Sequence, residues 1–246
     1  MEYVQGRVDN IFGGCYGDYD YKDDYYSTYF YDNGNAKPGF TKPRMSNAFV
    51  NFRPNSNNRN AVSNIFGAGQ GHTLDGDRDV MQDRSYVLVD IPQSLETYVN
   101  TQVFGAGEAC GVGMRNGAAI GAAYQELSPE ITKTNADGVT ASAVIDLMRG
   151  HINAAYGASY EEGITRRTIV NVPEKSTIRL NRIFGGAFGV SNNRPCDVYE
   201  ANVNWNSAEA LVGNYRDGIY GGNNSYRRTL YSKVNINAPV WYDKAN

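Results

Sequence analysis

The 246-residue chain has 23 Lys and Arg against 26 Asp and Glu, a formal net charge of −3, and 41% hydrophobic residues, which is typical of a folded domain and excludes a disordered or collagen-like chain. Its basic residues form no run longer than a pair, so nucleic acid is not an expected partner. No segment approaches the roughly 18 to 20 apolar residues that cross a bilayer, and residues 1–10 lack the apolar core of a signal peptide, so direct membrane insertion is not expected either.

A four-residue phrase, here called the aromatic phrase, occurs six times along the chain. It consists of an aliphatic residue, an aromatic residue, Gly, and then Gly or Ala. The copies occupy 11–14, 65–68, 103–106, 155–158, 183–186 and 219–222. Only 27 of the 246 residues are Gly, so background composition does not explain a Gly at the third place of every copy. The chain is therefore built from internal repeats.

A second phrase, the alternating phrase, lies between successive aromatic phrases and reads apolar, Asn or Asp, apolar. Its copies occupy 50–52, 89–91, 145–147, 170–172, 203–205 and 234–236. A period of two sends the outer side chains to one face of an extended strand and the polar one to the other. Only Ser142 to Asn153 resembles an amphipathic helix, which argues against alternating strands and helices.

Corners are predicted around each aromatic phrase. A small polar residue precedes every aromatic by three positions, and the Gly that follows the aromatic would permit a positive φ at the next bend. These polar residues are Asp9, Ser63, Thr101, Asn153, Asn181 and Asp217.

Strands that alternate with corners in register bury their apolar face by coiling and stacking. We therefore expect an all-β fold, a β-solenoid over residues 1–246, specifically a right-handed single-stranded parallel β-helix of about six turns. The six aromatics should form one ladder and the aliphatics of the alternating phrase another. The aromatic ladder would stabilise the rod, or alternatively would serve as a row on which sugars stack.

The repeats differ in length mainly through insertions at one place, between an aromatic phrase and the next alternating phrase. The spacing from an alternating phrase to the next aromatic is 9 to 15 residues, whereas the spacing from an aromatic to the next alternating phrase is 16 to 43. The long insertions, at 15–45, 69–84 and 107–140, should therefore crowd on one side of the rod, as insertions do on the binding face of repeat proteins.

The first insertion is rich in tyrosine and aspartate. Its tyrosines, predicted to bind a ligand, are Tyr16, Tyr19, Tyr21, Tyr25, Tyr26, Tyr29 and Tyr31. Tyrosine offers a large contact area at low rotamer entropy, and an acidic, aromatic loop suits recognition of a glycan, a protein or a basic surface. The alternative is that these rings pack the loop against the solenoid.

The second insertion contains a candidate cation site. Asp75, Asp77 and Asp79 alternate like the start of a calcium loop, but Val80 stands where such a loop needs Gly, and no Glu occupies the twelfth place. An EF-hand is excluded, which leaves a looser Ca²⁺ site or three solvated carboxylates. No other cofactor is expected.

Two further aspartates, Asp90 and Asp146, occupy the same place in their alternating phrases. They should lie about 5 Å apart in adjacent turns, with a cation, Arg or Lys beside them. The three cysteines, Cys15, Cys110 and Cys196, include no Cys-x-x-Cys pair and predict neither a zinc site nor a disulfide framework.

Catalytic motifs are scarce. No Gly-x-Ser-x-Gly occurs, and the glycines of 105–107 belong to the repeat rather than to a phosphate loop. An acid pair for glycoside hydrolysis could be drawn from Glu108, Asp90, Asp146 or the aspartates of 75–79, but sequence does not reveal their separation.

The aromatic phrase and the alternating phrase follow each other in turn along the chain, with turn-rich insertions between them. This arrangement resembles the repeats of large secreted β-helix surface proteins of gut bacteria, and the resemblance extends from Val8 to Pro239. It implies an extracellular or cell-surface location and an adhesin-like role, with a glycan or a host or bacterial surface protein as partner. Such proteins carry an export signal and an anchor, so the chain is expected to be a segment of a longer one.

Two functions remain open at this point. The first is a non-enzymatic interaction module that binds through its one-sided loops. The second is a polysaccharide lyase or glycoside hydrolase of β-helix fold, for which acids and bases should line a strand face. The outward positions of the alternating phrase contain no base, which favours the first.

Overall fold

The computed structural model describes residues 7–16, 44–54, 61–71, 81–92, 98–113, 143–192, 194, 196–213 and 217–242, and these form an all-β structure without an α-helix. Its strands in chain order are β1 (Arg7–Phe12), β2 (Arg44–Phe52), β3 (Ala61–Phe66), β4 (Met81–Asp90), β5 (Gln102–Phe104), β6 (Ala143–Tyr156), β7 (Tyr160–Glu161), β8 (Thr165–Val172), β9 (Thr177–Phe184), β10 (Phe188–Gly189), β11 (Val198–Trp205), β12 (Leu211–Val212), β13 (Gly218–Tyr220), β14 (Asn224–Ser225), β15 (Thr229–Ile236) and β16 (Trp241–Tyr242). The predicted all-β class is confirmed.

All pairings between these strands are parallel, and they join equivalent positions of successive repeats. We number the repeats as layers 1 to 6 by their copy of the aromatic phrase. In one column the aromatic phrases pair in order through β1, β3, β5, the end of β6, β9 and β13. In a second column the strands that carry the alternating phrases pair through β2, β4, the start of β6, β8, β11 and β15. In β4 it is residues 87–89, and not the phrase at 89–91, that align with the phrases of β2 and β6.

The six aromatics form the predicted ladder. Successive rings lie 4.7 to 5.2 Å apart between centroids, and their planes differ by 4° to 17°. The rings of the four inner layers are buried, which leaves their faces to each other rather than to a sugar. The stack is therefore structural in layers 2 to 5.

The main core lies between the two columns. The aliphatic residue of each aromatic phrase faces the aliphatics of the alternating phrases, as Ile65, Val103 and Ile183 do opposite Val87 and Val203. The aromatic rings point to the other side of their strands and form a separate cluster. A single strand of the aromatic column thus serves two apolar clusters, because its successive side chains alternate.

The repeat glycines are required for close approach and not for a positive φ. Gly105 and Gly157 have φ outside the left-handed region, which among the described glycines only Gly113, Gly150 and Gly163 occupy. A Cβ on Gly105 would lie 2.2 Å from the carbonyl oxygen of Gly157, and a Cβ on Gly157 would lie 2.2 Å from that of Gly185. The prediction of a left-handed bend at these positions is wrong: the backbones of adjacent layers meet there with no room for a side chain.

The small polar residues before the aromatics also differ from expectation. Asp9, Ser63, Asn153 and Asn181 lie within strands rather than at corners, whereas Thr101 and Asp217 stand directly before β5 and β13. Several of these side chains bond across layers. Asn181 donates from Nδ2 to Oδ1 of Asn153 (3.1 Å), and the Thr101 hydroxyl donates to the carbonyl of Val62 (2.5 Å). Stacked strands bring equivalent side chains together, so an interlayer partner is closer than a local one.

Ser142 to Asn153 is the one segment with helical character in its sequence. Its described part, residues 143–153, contributes most of strand β6 and not a helix. Its alternation of buried and half-buried side chains has the period of a strand. The strand bends at Gly150, where φ is +123° and a Cβ would lie 2.6 Å from Cβ of Ile91. Tertiary pairing on both edges therefore outweighs the local helical pattern.

Candidate functional site

A row of side chains, here called the flank row, runs along the outside of the aromatic ladder. Each member stands four residues after the aromatic of its layer, and successive members pair in parallel. The row consists of Tyr16, Gln70, Glu108, Tyr160, Phe188 and Asn224. The sequence therefore builds a third column in every layer, directly after the tight Gly turn.

In the middle layers the flank row covers the aromatic ladder. The Tyr160 ring meets Phe104 edge-on at 5.5 Å between centroids, and the Phe188 ring meets Tyr156 edge-on at 5.3 Å. Tyr160 and Phe188 also contact each other at 5.4 Å. Burial against these neighbours raises the pKa of Tyr156. The row is thus aromatic in layers 4 and 5, where it seals the stack, and it carries an amide or a carboxylate at Gln70, Glu108 and Asn224.

The residue after the flank row adopts a left-handed backbone in three layers. The φ angles are 48° at Ala109, 65° at Glu161 and 72° at Ser225. Non-glycine residues seldom adopt this region, and they persist in it only where surrounding structure imposes it. The corner that follows the flank row is therefore held by interlayer pairing, and it fixes the direction in which Glu161 leaves the backbone.

Glu108 is the carboxylate of the flank row. Its Oε2 accepts a hydrogen bond from Nε2 of Gln70 at 2.9 Å. Burial raises its pKa, the charge of Glu161 raises it further, and the bond from Gln70 opposes the rise. Glu161 is itself paired with the guanidinium of Arg194. Two carboxylates and one arginine thus meet beside Tyr160.

The described residues that flank the three long segments of the chain lie together. Segment 17–43 begins after Tyr16, which pairs with Gln70 in the next layer. It ends at Arg44, which pairs with Met81, where segment 72–80 ends. Segment 114–142 begins after Gly113, whose N–H donates to the carbonyl of Gln82 at 2.8 Å. The first two segments therefore begin side by side and end side by side, and the third begins beside the point where the second ends.

Tyr16 is the one predicted ligand-binding tyrosine among the described residues, and 64% of it is exposed. It begins the flank row through its pairing with Gln70. Tyr19, Tyr21, Tyr25, Tyr26, Tyr29 and Tyr31 lie outside the described residues, as do Asp75, Asp77 and Asp79.

Within the described part of the chain, no group of three or more His, Cys, Asp and Glu residues could hold a metal ion. All three cysteines are described, and all are free thiols. Burial, followed by the charge of Asp197, raises the pKa of Cys196 to about 12, so its thiol is inert as a nucleophile near neutral pH.

A second polar surface lies on the outward side of the alternating phrases, and one predicted register there is wrong. Asp146 pairs with Leu88, whereas Asp90 pairs with Arg149 because a bulge shifts the register after Val89. Asp90 and Asp146 are therefore not equivalent. The expectation of a basic neighbour is correct for Asp90, which bonds Nε of Arg149 at 2.5 Å and Nε of Arg53 at 2.9 Å.

The physical reason for the register error is that strand β4 alternates over a longer stretch than the phrase. Val87, Val89 and Ile91 are all fully buried, so either Leu88 or Asp90 could stand at the central place of an apolar pair. The bond from Arg149 lowers the pKa of Asp90, although burial opposes it. Asp90 therefore forms an ion pair at the bulge and does not occupy the polar position of the repeat.

Asp146 begins a ladder of side-chain amides. Asn171 donates from Nδ2 to Oδ1 of Asp146 (2.8 Å), Asn204 donates to Asn171 (2.9 Å), and Asn235 donates to Asn204 (2.7 Å). Oδ2 of Asp146 accepts from the hydroxyl of Tyr86 at 2.5 Å. Burial raises the pKa of Tyr86, and the bond to Asp146 raises it further. Each amide of this ladder donates toward layer 1, whereas the Tyr86 hydroxyl donates in the opposite direction.

The flank row and the Glu108–Glu161 pair were not predicted from the sequence as a unit. The signal was available, because every member stands four residues after an aromatic that the repeat already aligns. It was obscured because the six residues differ in type, from Phe to Glu, and share only a position.

The chain matches no protein-family model, and neither a curated protein nor a solved structure is significantly similar to it. Among the described residues, no helix has the length and apolarity needed to cross a bilayer.

Proposed function

We propose that this chain is an extracellular, non-enzymatic interaction module, a right-handed single-stranded β-helix that binds a glycan or a surface protein on the side of its long segments. Parallel pairing of equivalent positions through six layers supports a closed coil, and parallel strands joined by a crossover are right-handed in nearly all proteins.

The observation that carries this proposal is that the three long segments begin shortly after the flank-row members of layers 1 to 3. The first segment begins after Tyr16 and the second just after Gln70, which pairs with both Tyr16 and Glu108, and the third begins in the layer of Glu108. Loops that leave a rigid scaffold at one place are the usual location of binding residues. An exposed tyrosine, an amide and a carboxylate in one line supply both ring faces and acceptors for hydroxyl groups.

The binding test is a glycan array together with soluble polysaccharides, scored for binding and for cleavage. In the variant, residues 17–43 are replaced by a short Gly-Ser turn, with Tyr16 and Arg44 kept because both are paired. We expect binding without cleavage by the intact chain and its loss in the variant, with a cooperative unfolding transition retained. A variant that unfolds, or that binds undiminished, would contradict the proposal.

A point variant refines this test. Tyr16→Ala should weaken binding, whereas Tyr231→Ala should not, because Tyr231 is 61% exposed on β15, far along the stack from layer 1. Equal losses in the two variants would show that binding does not depend on the flank row.

We extend the proposal to Ca²⁺ at Asp75, Asp77 and Asp79, whose alternating carboxylates suit a hard cation. Titration calorimetry with Ca²⁺ should give a binding isotherm that the Asp77→Asn variant weakens. An isotherm that is absent, or unchanged in the variant, would assign these carboxylates to solvent.

A second candidate, glycoside hydrolysis, is favoured by one observation. Glu108 has a raised pKa and a second carboxylate, Glu161, close enough to contribute to that rise, which is the environment of a general acid. Cleavage of any polysaccharide that disappears in Glu108→Gln and persists in Glu200→Gln would establish this function in place of the first.

A further inference from the structure

The stack of layers has two unlike ends with unpaired strand edges. Among the described strands, β1 pairs only with β3 and β2 only with β4 at the layer 1 end. At the other end β13 pairs only with β9, and β15 only with β11. Unpaired edges of parallel strands are templates for a further strand.

The layer 6 edge exposes apolar side chains at positions that the inner layers bury. Tyr220 is 42% exposed and Ile236 is 48% exposed, whereas the equivalent Phe184 and Trp205 are buried at 6% and 0%. Val234 is likewise exposed, although every other layer buries the residue at its position. This surface has the composition of the core, because in every other layer it is the core.

The backbone at the two ends is complementary in its hydrogen bonding. In layers 1 to 5 the Gly of each aromatic phrase donates its N–H to the aromatic carbonyl of the next layer, at 2.8 to 3.0 Å; the last such bond runs from Gly185 to Tyr220. Gly221 has no such acceptor among the described residues. By the same repeat, the carbonyl of Phe12 faces outward from layer 1. One end thus offers the donor and the other end the acceptor.

The side chains at the two ends also match in part. Superposing layer 1 on the free edge of layer 6 by the repeat brings alike residues together in five rows. These pairs are Phe12 with Tyr220, Ile11 with Ile219, Gly13 with Gly221, Asn51 with Asn235 and Phe52 with Ile236. Ala48 and Val50, which stand in the rows of Ser232 and Val234, are 6% and 9% exposed and contribute little further contact. Phe49 stands in the row of Lys233 on the outward face, so the match is confined to these five rows.

The direction of the amide ladder selects head-to-tail contact. Each Asn donates toward layer 1, so Oδ1 of Asn235 remains as an acceptor at the layer 6 end. Asn51, in layer 1, pairs with Leu88 in layer 2, so the residue opposite it in layer 2 offers no side-chain amide. In a head-to-tail pair, Nδ2 of Asn51 reaches Asn235 with the polarity of every other rung.

We propose that layer 6 of one molecule binds layer 1 of a second copy of this chain, so that the interface repeats the contact between successive layers. A heterologous contact of this kind does not close on itself and generates linear assemblies. The occupant is a second copy because its layer 1 carries the phrases that the layer 6 edge requires.

Paired cysteine variants test this geometry. In a Cys15→Ser background, Asn51→Cys and Asn235→Cys are mixed and oxidised; across the interface their Cα atoms lie about 4.8 Å apart, within disulfide range. Within one molecule five layers separate them, so only an intermolecular bond can form. We expect a mixed disulfide between the two variants, and none between Asn51→Cys and Asn171→Cys, because Asn171 is flanked by layers on both sides.

A charge at the edge provides an independent measurement. Sedimentation of the 246-residue chain over a range of concentrations should show linear oligomers, and Ile236→Arg should weaken self-association about ten-fold or more, because it buries an unpaired charge. Tyr231→Arg, on the lateral face of the same strand, should leave association unchanged. A monomer at about 1 mM, or disulfides only between identical variants, would overturn the proposal.

Discussion

The inner layers and layer 6 carry the same phrases in opposite environments. Phe104 lies between the rings of Phe66 and Tyr156 and is fully buried, whereas Tyr220 stacks on Phe184 alone and leaves its other face to solvent. The sequence of a repeat therefore specifies which surface it presents, but only the adjacent layers determine whether that surface is core. Matched substitutions in the two regions measure this difference.

The largest difference is expected between Phe104→Ala and Tyr220→Ala. Removing the inner ring leaves a cavity within the ladder and should lower the free energy of unfolding by about 3 to 5 kcal/mol. The same truncation in layer 6 opens to solvent and should cost about 1 kcal/mol or less. Urea denaturation, with midpoint and slope both fitted, measures the two values; similar costs would mean that stacking between layers contributes little.

A smaller but sharper contrast concerns the glycines. Gly157→Ala places a methyl group 2.2 Å from the carbonyl oxygen of Gly185, so the layers must separate, at a cost of about 2 to 3 kcal/mol. A Cβ on Gly222, by contrast, meets nothing closer than Oγ1 of Thr229 at 3.5 Å. Gly222→Ala should therefore be neutral in thermal unfolding. Tolerance at both positions would show that the close approach is not maintained in solution.

The amide ladder gives the next effect. Asn204 both donates and accepts, so Asn204→Ala leaves two half-buried partners without a bond and should cost about 1 to 2 kcal/mol. Asn235 only donates within one molecule, and Asn235→Ala should cost less than half as much. We would measure both under conditions in which the protein is monomeric. A larger cost at Asn235 would contradict a ladder made of equivalent rungs.

The smallest effects are in the pH dependence of stability, and two carboxylates should act with opposite sign. Asp90 has a lowered pKa, so it stabilises the fold above the usual pKa of an aspartate, and that contribution is lost as the pH falls through its folded value. Glu108 has a raised pKa, so its contribution declines as the pH rises from the usual glutamate value through its folded one.

Melting temperatures at pH 7 and pH 4 test this pair. Relative to the wild type, Asp90→Asn should be less stable at pH 7 and should approach it as the pH falls. Glu108→Gln should gain on the wild type between pH 4 and pH 7. Parallel curves for both variants would mean that neither carboxylate titrates differently in the folded and unfolded states.

The parts of this fold that the sequence predicts are those imposed in every layer. The aromatic ladder and the alternation of buried aliphatics follow from phrases repeated six times, because stacking makes equal positions neighbours. The sequence does not predict three features that occur only once: the register at Val87–Val89, the bulge before Asp90 and the ion pair with Arg149. They depend on whether residues 87–89 or 89–91, which alternate equally well, pair with the next layer. The flank row was missed for a related reason, since its members share a position and not a residue type.

The one-way amide ladder limits where a carboxylate can stand. The side chain of Asp146 has two oxygens and no N–H. It accepts hydrogen bonds from Asn171 and Tyr86, but it cannot donate one to a further member of the ladder. Duplicating a repeat that carries Asn would lengthen the stack with every amide satisfied. Duplicating the repeat that carries Asp146 would set two carboxylates face to face at about 5 Å. The stack can therefore be lengthened by duplicating a repeat that follows Asp146, whereas duplicating the repeat of Asp146 itself would be destabilising.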